Sequence, residues 1–314
     1  MQPPSSTALF RLEFDNRLME EAVMLRMAGH AQEGEFRRLR DRIYDLPNEE
    51  EREKQFNQLH QQWFLRLDLG HSVGRALGEQ PLLMRNTRGC RVVRVIFPKE
   101  EGADLYGSPP MTIGLTLRAS SLLNDSALLA FLRHEFMHLA DMLDPCFAYE
   151  PELPRSEAGP THDNLLRERY RVLWNTWIDG RLLRQKWAGE QVRQKRLAEF
   201  RATFPMLGGG SETKFSEWFD SPFHTHKDLV AFALHPETAG PHYPSEQSGA
   251  GRCGLCQFPS FDLQDGRDLP APTVEEVLVD FPNWRPNQGL CRQCADLYQS
   301  RHFSQSAEAT LPKT

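Results

Sequence analysis

The chain has 314 residues, 39% hydrophobic and 25% charged, a balance that suits a globular fold with a real core and excludes a disordered one. No run of 18 apolar residues occurs, which excludes a membrane-spanning helix, and the start, MQPPSSTALFRLEF, lacks the basic-then-apolar pattern of a secretory signal, so the expected location is cytoplasmic. A formal charge of −6 is too mild to suggest a general nucleic-acid binder.

The first eighty residues read as a helical region. Leu9, Leu12, Leu18, Ala22, Val23 and Leu25 recur at near-helical spacing. Asn48 reads as the N-cap of another helix, with Glu49 to Glu51 in its first turn and Phe56, Leu59, Trp63 and Leu67 turned inward. After Pro81 the pattern becomes strand-like. Residues 91–97 (RVVRVIF) are β-branched, and Ile113, Leu115 and Leu117 alternate with Thr112, Gly114, Thr116 and Arg118; Gly107 to Pro110 between them is a turn. Asn124 to Ser126 then cap a long helix whose packing face is Leu129, Leu132, Phe136, Ala140 and Leu143. A Pro-, Glu- and Gly-rich loop spans about 145–160. Helices are expected over 162–186, capped by Thr161, and over 191–203, and Gly208 to Ser211 reads as a flexible hinge. Thr225 or Ser221 would cap a helix through Leu229 to Leu234. From about Pro236 a Pro-, Gly- and Ser-rich stretch marks the boundary to a C-terminal module at 236–300, and residues 301–314 read as a disordered tail.

The central chemical signal is His134-Glu135-Phe136-Met137-His138 inside the long helix. Residues four apart on a helix share a face, with Cβ atoms about 5–6 Å apart, which lets two imidazoles grip one tetrahedral zinc. Glu135 leaves the helix about 100° away and can reach a metal-bound water as general base. The motif lies opposite the apolar stripe, and the alternating strand 112–118 that precedes it offers a strand edge to an extended peptide. Asp141, one turn beyond His138, is placed to orient a ligand imidazole through its other N–H.

A strand followed by a helix bearing His-Glu-x-x-His resembles the zincin metallopeptidases over roughly residues 81–185, within a core domain expected at 81–235. The resemblance implies zinc ligation by His134 and His138 and catalysis by Glu135. In the gluzincin arrangement the third ligand lies on a later helix, where Trp174-Asn175-Thr-Trp-Ile-Asp179-Gly-Arg181 is the natural segment. Asn175 stands where many gluzincins carry the ligand Glu, so Asp179 is the first choice, Glu168 the second, and Asp144, at the metzincin position, the third; Asn175 is then a supporting residue. Tyr149, Tyr170, Arg181, His224 and His226 are unranked candidates for stabilising an oxyanion, and packing or capping is the favoured role of His224 and His226.

Cys253-Gly-Leu-Cys256 and Cys291-Arg-Gln-Cys294 form two Cys-x-x-Cys pairs, which in a reducing compartment read as a closed, structural four-cysteine zinc site. The long spacer implies an inserted hairpin or loop around Leu278 to Trp284. Cys90 and Cys146 read as small buried apolar residues. A zincin core followed by such a ribbon also resembles the SprT-like proteases in domain order. Residues 161–202 hold ten Lys or Arg against five acids, read here as the solvated side of two surface helices ahead of a nucleic-acid face. The expectation is a predominantly helical α+β fold with one catalytic and one structural zinc. The expected activity is hydrolysis of peptide bonds in a protein or peptide substrate; the rivals are a non-catalytic zinc-binding interaction protein and a protease acting on DNA-associated proteins.

Overall fold

The computed structural model describes residues 10–155, 160–236, 251–256, 259–260 and 262–299. Leu9, most of the stretch before Cys253 and the tail from 301 therefore lie outside the described residues. The fold is mostly helical with a small sheet, as an α+β reading requires. No helix among the described residues is long and apolar enough to cross a membrane. The chain divides into two compact units: residues 1–150 with 178–192, and residues 151–177 with 193–314.

The first unit begins with β1 (Arg11–Phe14) and α1 (Asn16–Met27). Helical periodicity extended back to Leu12 fails here. Phe10, Leu12 and Phe14 alternate with Arg11 and Glu13, and all three pack on the core, so the period of two wins. Asp15 ends the strand and starts the helix, its carboxylate accepting the N–H groups of Arg17 and Leu18 at 2.7 and 3.1 Å. The chain continues through α2 (Glu33–Tyr44), α3 (Glu49–Arg66), α4 (His71–Gly78) and α5 (Pro81–Asn86). Asn48 caps α3 as its sequence suggests, accepting from Glu51 N at 3.1 Å, and Leu59 and Trp63 are buried.

The sheet follows: β2 (Thr87–Arg94), β3 (Gly102–Tyr106) and β4 (Met111–Leu117), in the order β1-β2-β4-β3. β1, β2 and β4 are parallel and β3 is antiparallel to β4. β4 buries Ile113, Leu115 and Leu117, as their alternation predicts. It is not an edge, however: β2 and β3 flank it, and the edge strands are β1 and β3. The short Gly-Ala-Asp-Leu-Tyr segment carries too little β-branched character to announce itself. Gly89 is required by the close β1–β2 approach, since a Cβ there would lie 2.4 Å from the Arg11 carbonyl oxygen.

The long helix α6 (Asp125–Leu143) is capped by Asn124, which accepts from Ala127 N at 3.2 Å. Its Leu132, Phe136 and Leu139 join Leu18, Val23, Trp63, Val73 and the β4 side chains in one continuous core. The N-terminal helices therefore share their core with the sheet and α6. The helix α7 (Pro160–Arg184) supplies residues to both units, those from Ile178 onward belonging to the first.

In the second unit, α7 up to Trp177 buries Leu166, Val172, Leu173, Trp174 and Trp177. It is followed by α8 (Gln191–Thr203), which straddles the division, then α9 (Ser211–Phe219) and α10 (His226–Leu234). Phe200, Phe204, Phe215, Phe219, Trp218 and Phe232 form an aromatic cluster, with ring centroids 4.6–6.4 Å apart. The expected hinge at Gly208 to Ser211 is instead a 3-10 turn (Pro205–Gly210) leading into α9. Gly208, at φ 49°, makes the bend, and Ser211 is buried with its hydroxyl donating to the Gly208 carbonyl. Thr225 and Asp228 close a capping box on α10.

The C-terminal part of this unit holds β5 (Gly251–Arg252) paired with β6 (Pro259–Ser260), β7 (Leu263–Gln264), α11 (Ala271–Asp280), β8 (Leu290–Cys291) paired with β7, and a helical segment at 292–299. The spacer between the cysteine pairs is thus built on a helix: Leu278 lies within α11, whose Val277 is buried.

Candidate metal centres

The four cysteines of the C-terminal module converge. Their sulfurs all lie within 4.8 Å of one another, and the Cys256 and Cys291 sulfurs are 3.8 Å apart. Four thiolates around one tetrahedral metal at about 2.3 Å would sit about 3.8 Å apart, so the cluster could hold a metal ion as it stands. Cys253, Cys256 and Cys294 are buried. Hydrogen bonds from Cys256, Cys291, Cys294 and the Cys291 N–H pull the Cys253 thiol far below its ordinary value, while Cys256 and Cys294 are pushed up as thiols facing Cys253. Cys291 is lowered as well, its hydrogen bond with Cys253 raising it against those with Cys256 and Cys294, which lower it; a metal would replace this sharing of protons by four thiolates. Around the sulfurs pack Leu255, Leu269, Val277, Trp284, Leu290, Ala295 and Tyr298. The Trp284 indole lies so close to Gly254 and Gly266 that a Cβ on either would meet it at 2.7 or 2.6 Å.

The His134–His138 segment lies mid-helix on α6 in the first unit. The two imidazoles are half-buried, with ring centroids 5.0 Å apart. His134 Nδ1 and Asp179 Oδ1 lie 2.9 Å apart, a hydrogen bond in which the ring nitrogen donates to the carboxylate. Glu135 is half-buried and accepts the Ala103 N–H of edge strand β3 at 3.4 Å. Burial pushes its carboxyl above the ordinary 4.5, against the opposing pulls of His134 and the Ala103 N–H. Among the described residues, no group of three or more His, Cys, Asp or Glu other than the cysteines gathers its ligating atoms within 4.8 Å.

The remaining candidates are placed as follows. Asp141 is buried and receives both Arg181 guanidinium nitrogens at 2.8 and 2.5 Å. Glu168, in the second unit, holds Arg171 through both oxygens at 2.9 and 2.6 Å. Asp144 accepts from Cys146 N at 2.8 Å in the turn after α6. Asn175 is buried on α7, one helical turn before Asp179. Tyr149 is half-buried, and burial followed by the Asp104 charge raises its hydroxyl pKa. In the second unit Tyr170 OH and His226 Nδ1 are 2.8 Å apart, and His224 stacks on Trp218 at 4.0 Å, the packing roles favoured for these histidines. Cys90 is buried, its thiol pushed up to about 12, whereas Cys146 is exposed because Pro145 ends the helix and turns the chain outward.

Two neighbours of the motif escaped sequence reasoning. Ala103 belongs to a strand with little pattern. Arg133, beside His134, is clamped by Glu79 at 2.7 Å through two bonds and lies over the Trp187 ring at 4.6 Å, partners far away in sequence. Comparison with protein-family models, curated proteins and solved structures returns no match, so the zincin resemblance rests on these residues alone.

Proposed function

We propose that the chain is a zinc-dependent metallopeptidase in which His134 and His138 hold the metal and Glu135 is the general base, with a second, structural zinc on Cys253, Cys256, Cys291 and Cys294. The observation that carries the reading is the Asp179 carboxylate behind His134. A carboxylate on Nδ1 fixes the tautomer, turns the ring and raises the basicity of Nε2, as metal-ligating imidazoles require. His138, one turn on with its ring 5.0 Å away, supplies the second nitrogen. Asp179, the first choice as a direct ligand, takes this supporting role through Oδ1. Glu168 and Asp144 are likewise engaged, by Arg171 and by the turn at Cys146. Two imidazoles bind zinc more weakly than three ligands, which makes metal content the deciding measurement.

Bound zinc would act as the Lewis acid that polarises water and the scissile carbonyl. Glu135 accepts the proton of the attacking water and delivers it to the leaving amine. Its upward-shifted pKa suits both halves of that task, since a general acid–base works best near the ambient pH. The outer edge of β3, next to Glu135, has backbone groups for aligning an extended peptide.

The experiment is zinc per chain for the wild type and for His138→Ala, followed by peptide cleavage with Glu135→Gln as control. Two zincs falling to one, and cleavage abolished by Glu135→Gln, support the reading. One zinc in both proteins refutes it and leaves the rival of a non-catalytic zinc protein, which is favoured by the cysteines being the set whose ligating atoms already converge. A DNA-linked protease has less support. Arg171, Arg193, Arg196 and Arg201 of the basic stretch are paired with Glu168, Asp220, Glu199 and Glu212, and Arg169 is buried.

A further inference from the structure

Four side chains of the first unit join α6 to the last turns of α7. Their charges are crossed. A base on α6, His134, meets an acid on α7, Asp179, at 2.9 Å, while an acid on α6, Asp141, meets a base on α7, Arg181, at 2.8 and 2.5 Å. On α6 the two anchors are seven residues apart, about 10 Å along the axis and on one face, because seven residues make nearly two turns. On α7 they are two residues apart and leave the helix about 160° from each other, so a side chain as long as Arg is needed to come round to Asp141. A single contact of this kind would leave a helix able to roll and slide about it. A second anchor two turns away removes both motions, and the planar two-pronged guanidinium fixes angle as well as distance. The Arg181 and Asp141 side chains are only 19% and 6% exposed. In such a place desolvation offsets much of the attraction, so the pair contributes geometry more than stability.

We infer that the Arg181–Asp141 pair is a positioning device, setting the roll of α7 so that the Asp179 carboxylate stays on Nδ1 of His134. The inference rests on the metallopeptidase reading only for what Nε2 then binds; the hydrogen bond is a property of the metal-free chain.

The test combines Asp141→Leu with Arg181→Met, which replaces the pair by apolar groups of similar size and leaves no lone buried charge. Arg181→Lys keeps the charge and loses the fork. Two readouts are taken on the full chain: the exchange-protected His134 Nδ1–H resonance in metal-free protein, assigned by its loss in His134→Gln, and zinc affinity at the histidine site by competition titration with the cysteine site loaded. In the double variant the resonance should be lost to solvent exchange and zinc affinity should fall about 10–100-fold, with Arg181→Lys in between. A folded double variant that keeps both resonance and affinity overturns the inference. If the double variant does not fold, Arg181→Lys decides alone, and an unchanged resonance and affinity there overturns it equally. If the wild type binds no zinc at His134 while the resonance responds as expected, the metallopeptidase reading fails and the positioning inference stands.

Discussion

Removing metal from the cysteine cluster should unfold the C-terminal module and leave the first unit intact. The sulfurs are already at metal-holding separations, with Cys256 and Cys291 at 3.8 Å. Among the described residues the apolar packing around them is seven buried side chains besides the cysteines, spread over residues 255–298, with Leu263, Val274 and Phe281 partly buried against them. A four-thiolate zinc site contributes about 10–16 kcal/mol of binding free energy near neutral pH, as much as the whole net stability of an ordinary domain at about 5–15 kcal/mol. Trp284 is the reporter: it is 3% exposed and wedged against Gly254 and Gly266. The assay is tryptophan emission, taken as the difference between wild type and Trp284→Phe to remove the other five tryptophans, during titration with a chelator. One equivalent of metal should leave as the Trp284 component shifts to the red, and Cys256→Ser should show the shifted spectrum from the start. Circular dichroism of the remaining helices should change little. A Trp284 component that stays blue and protease-resistant after full metal removal would refute the reasoning, because packing alone would then hold the module.

Asp179→Asn keeps shape and loses charge, so it should weaken zinc binding at His134 and His138 about 10–100-fold in a competition titration while the helical signal is unchanged. Gly89→Ala drives a Cβ to 2.4 Å from the Arg11 carbonyl and should cost about 1–3 kcal/mol in denaturant unfolding, with faster amide exchange in β1. His60 is 4% exposed among Phe36 and Phe56, and burial, its largest influence, lowers its pKa from 6.5. The folded chain holds this ring neutral where the unfolded chain would protonate it, so its stability is complete above about pH 6.5 and falls as pH drops, by at most about 1.4 kcal/mol per pH unit. His60→Phe should flatten that acid-side decline in thermal melts from pH 7 to 5; an identical slope in both proteins would show that His60 titrates normally. Cys146 should react with a maleimide in the folded protein, and Cys90 only on unfolding.

Local signals in this chain were legible one element at a time. The Asn48, Asn124 and Thr225 caps, the β4 alternation and the bounds of α8 follow from neighbouring residues, because capping and periodicity are short-range physics. The same holds for the two Cys-x-x-Cys pairs, each of which needs only its own turn. Short-range evidence misled where two periods compete, as at Leu12, and where glycines suggest freedom that packing withholds, as at Gly208 to Ser211.

Sequence alone determined which side chains bear the chemistry: two imidazoles and a carboxylate on one helix, and four thiols in two turns. Only the tertiary structure decided their partners. It put Asp179 on His134, Arg181 on Asp141, the β3 edge rather than β4 beside Glu135, and acids on Arg171, Arg193, Arg196 and Arg201. The reason is physical: helix spacing is set within four residues, whereas the pairing of α6 with the end of α7 spans 40 or more and depends on how two buried faces pack.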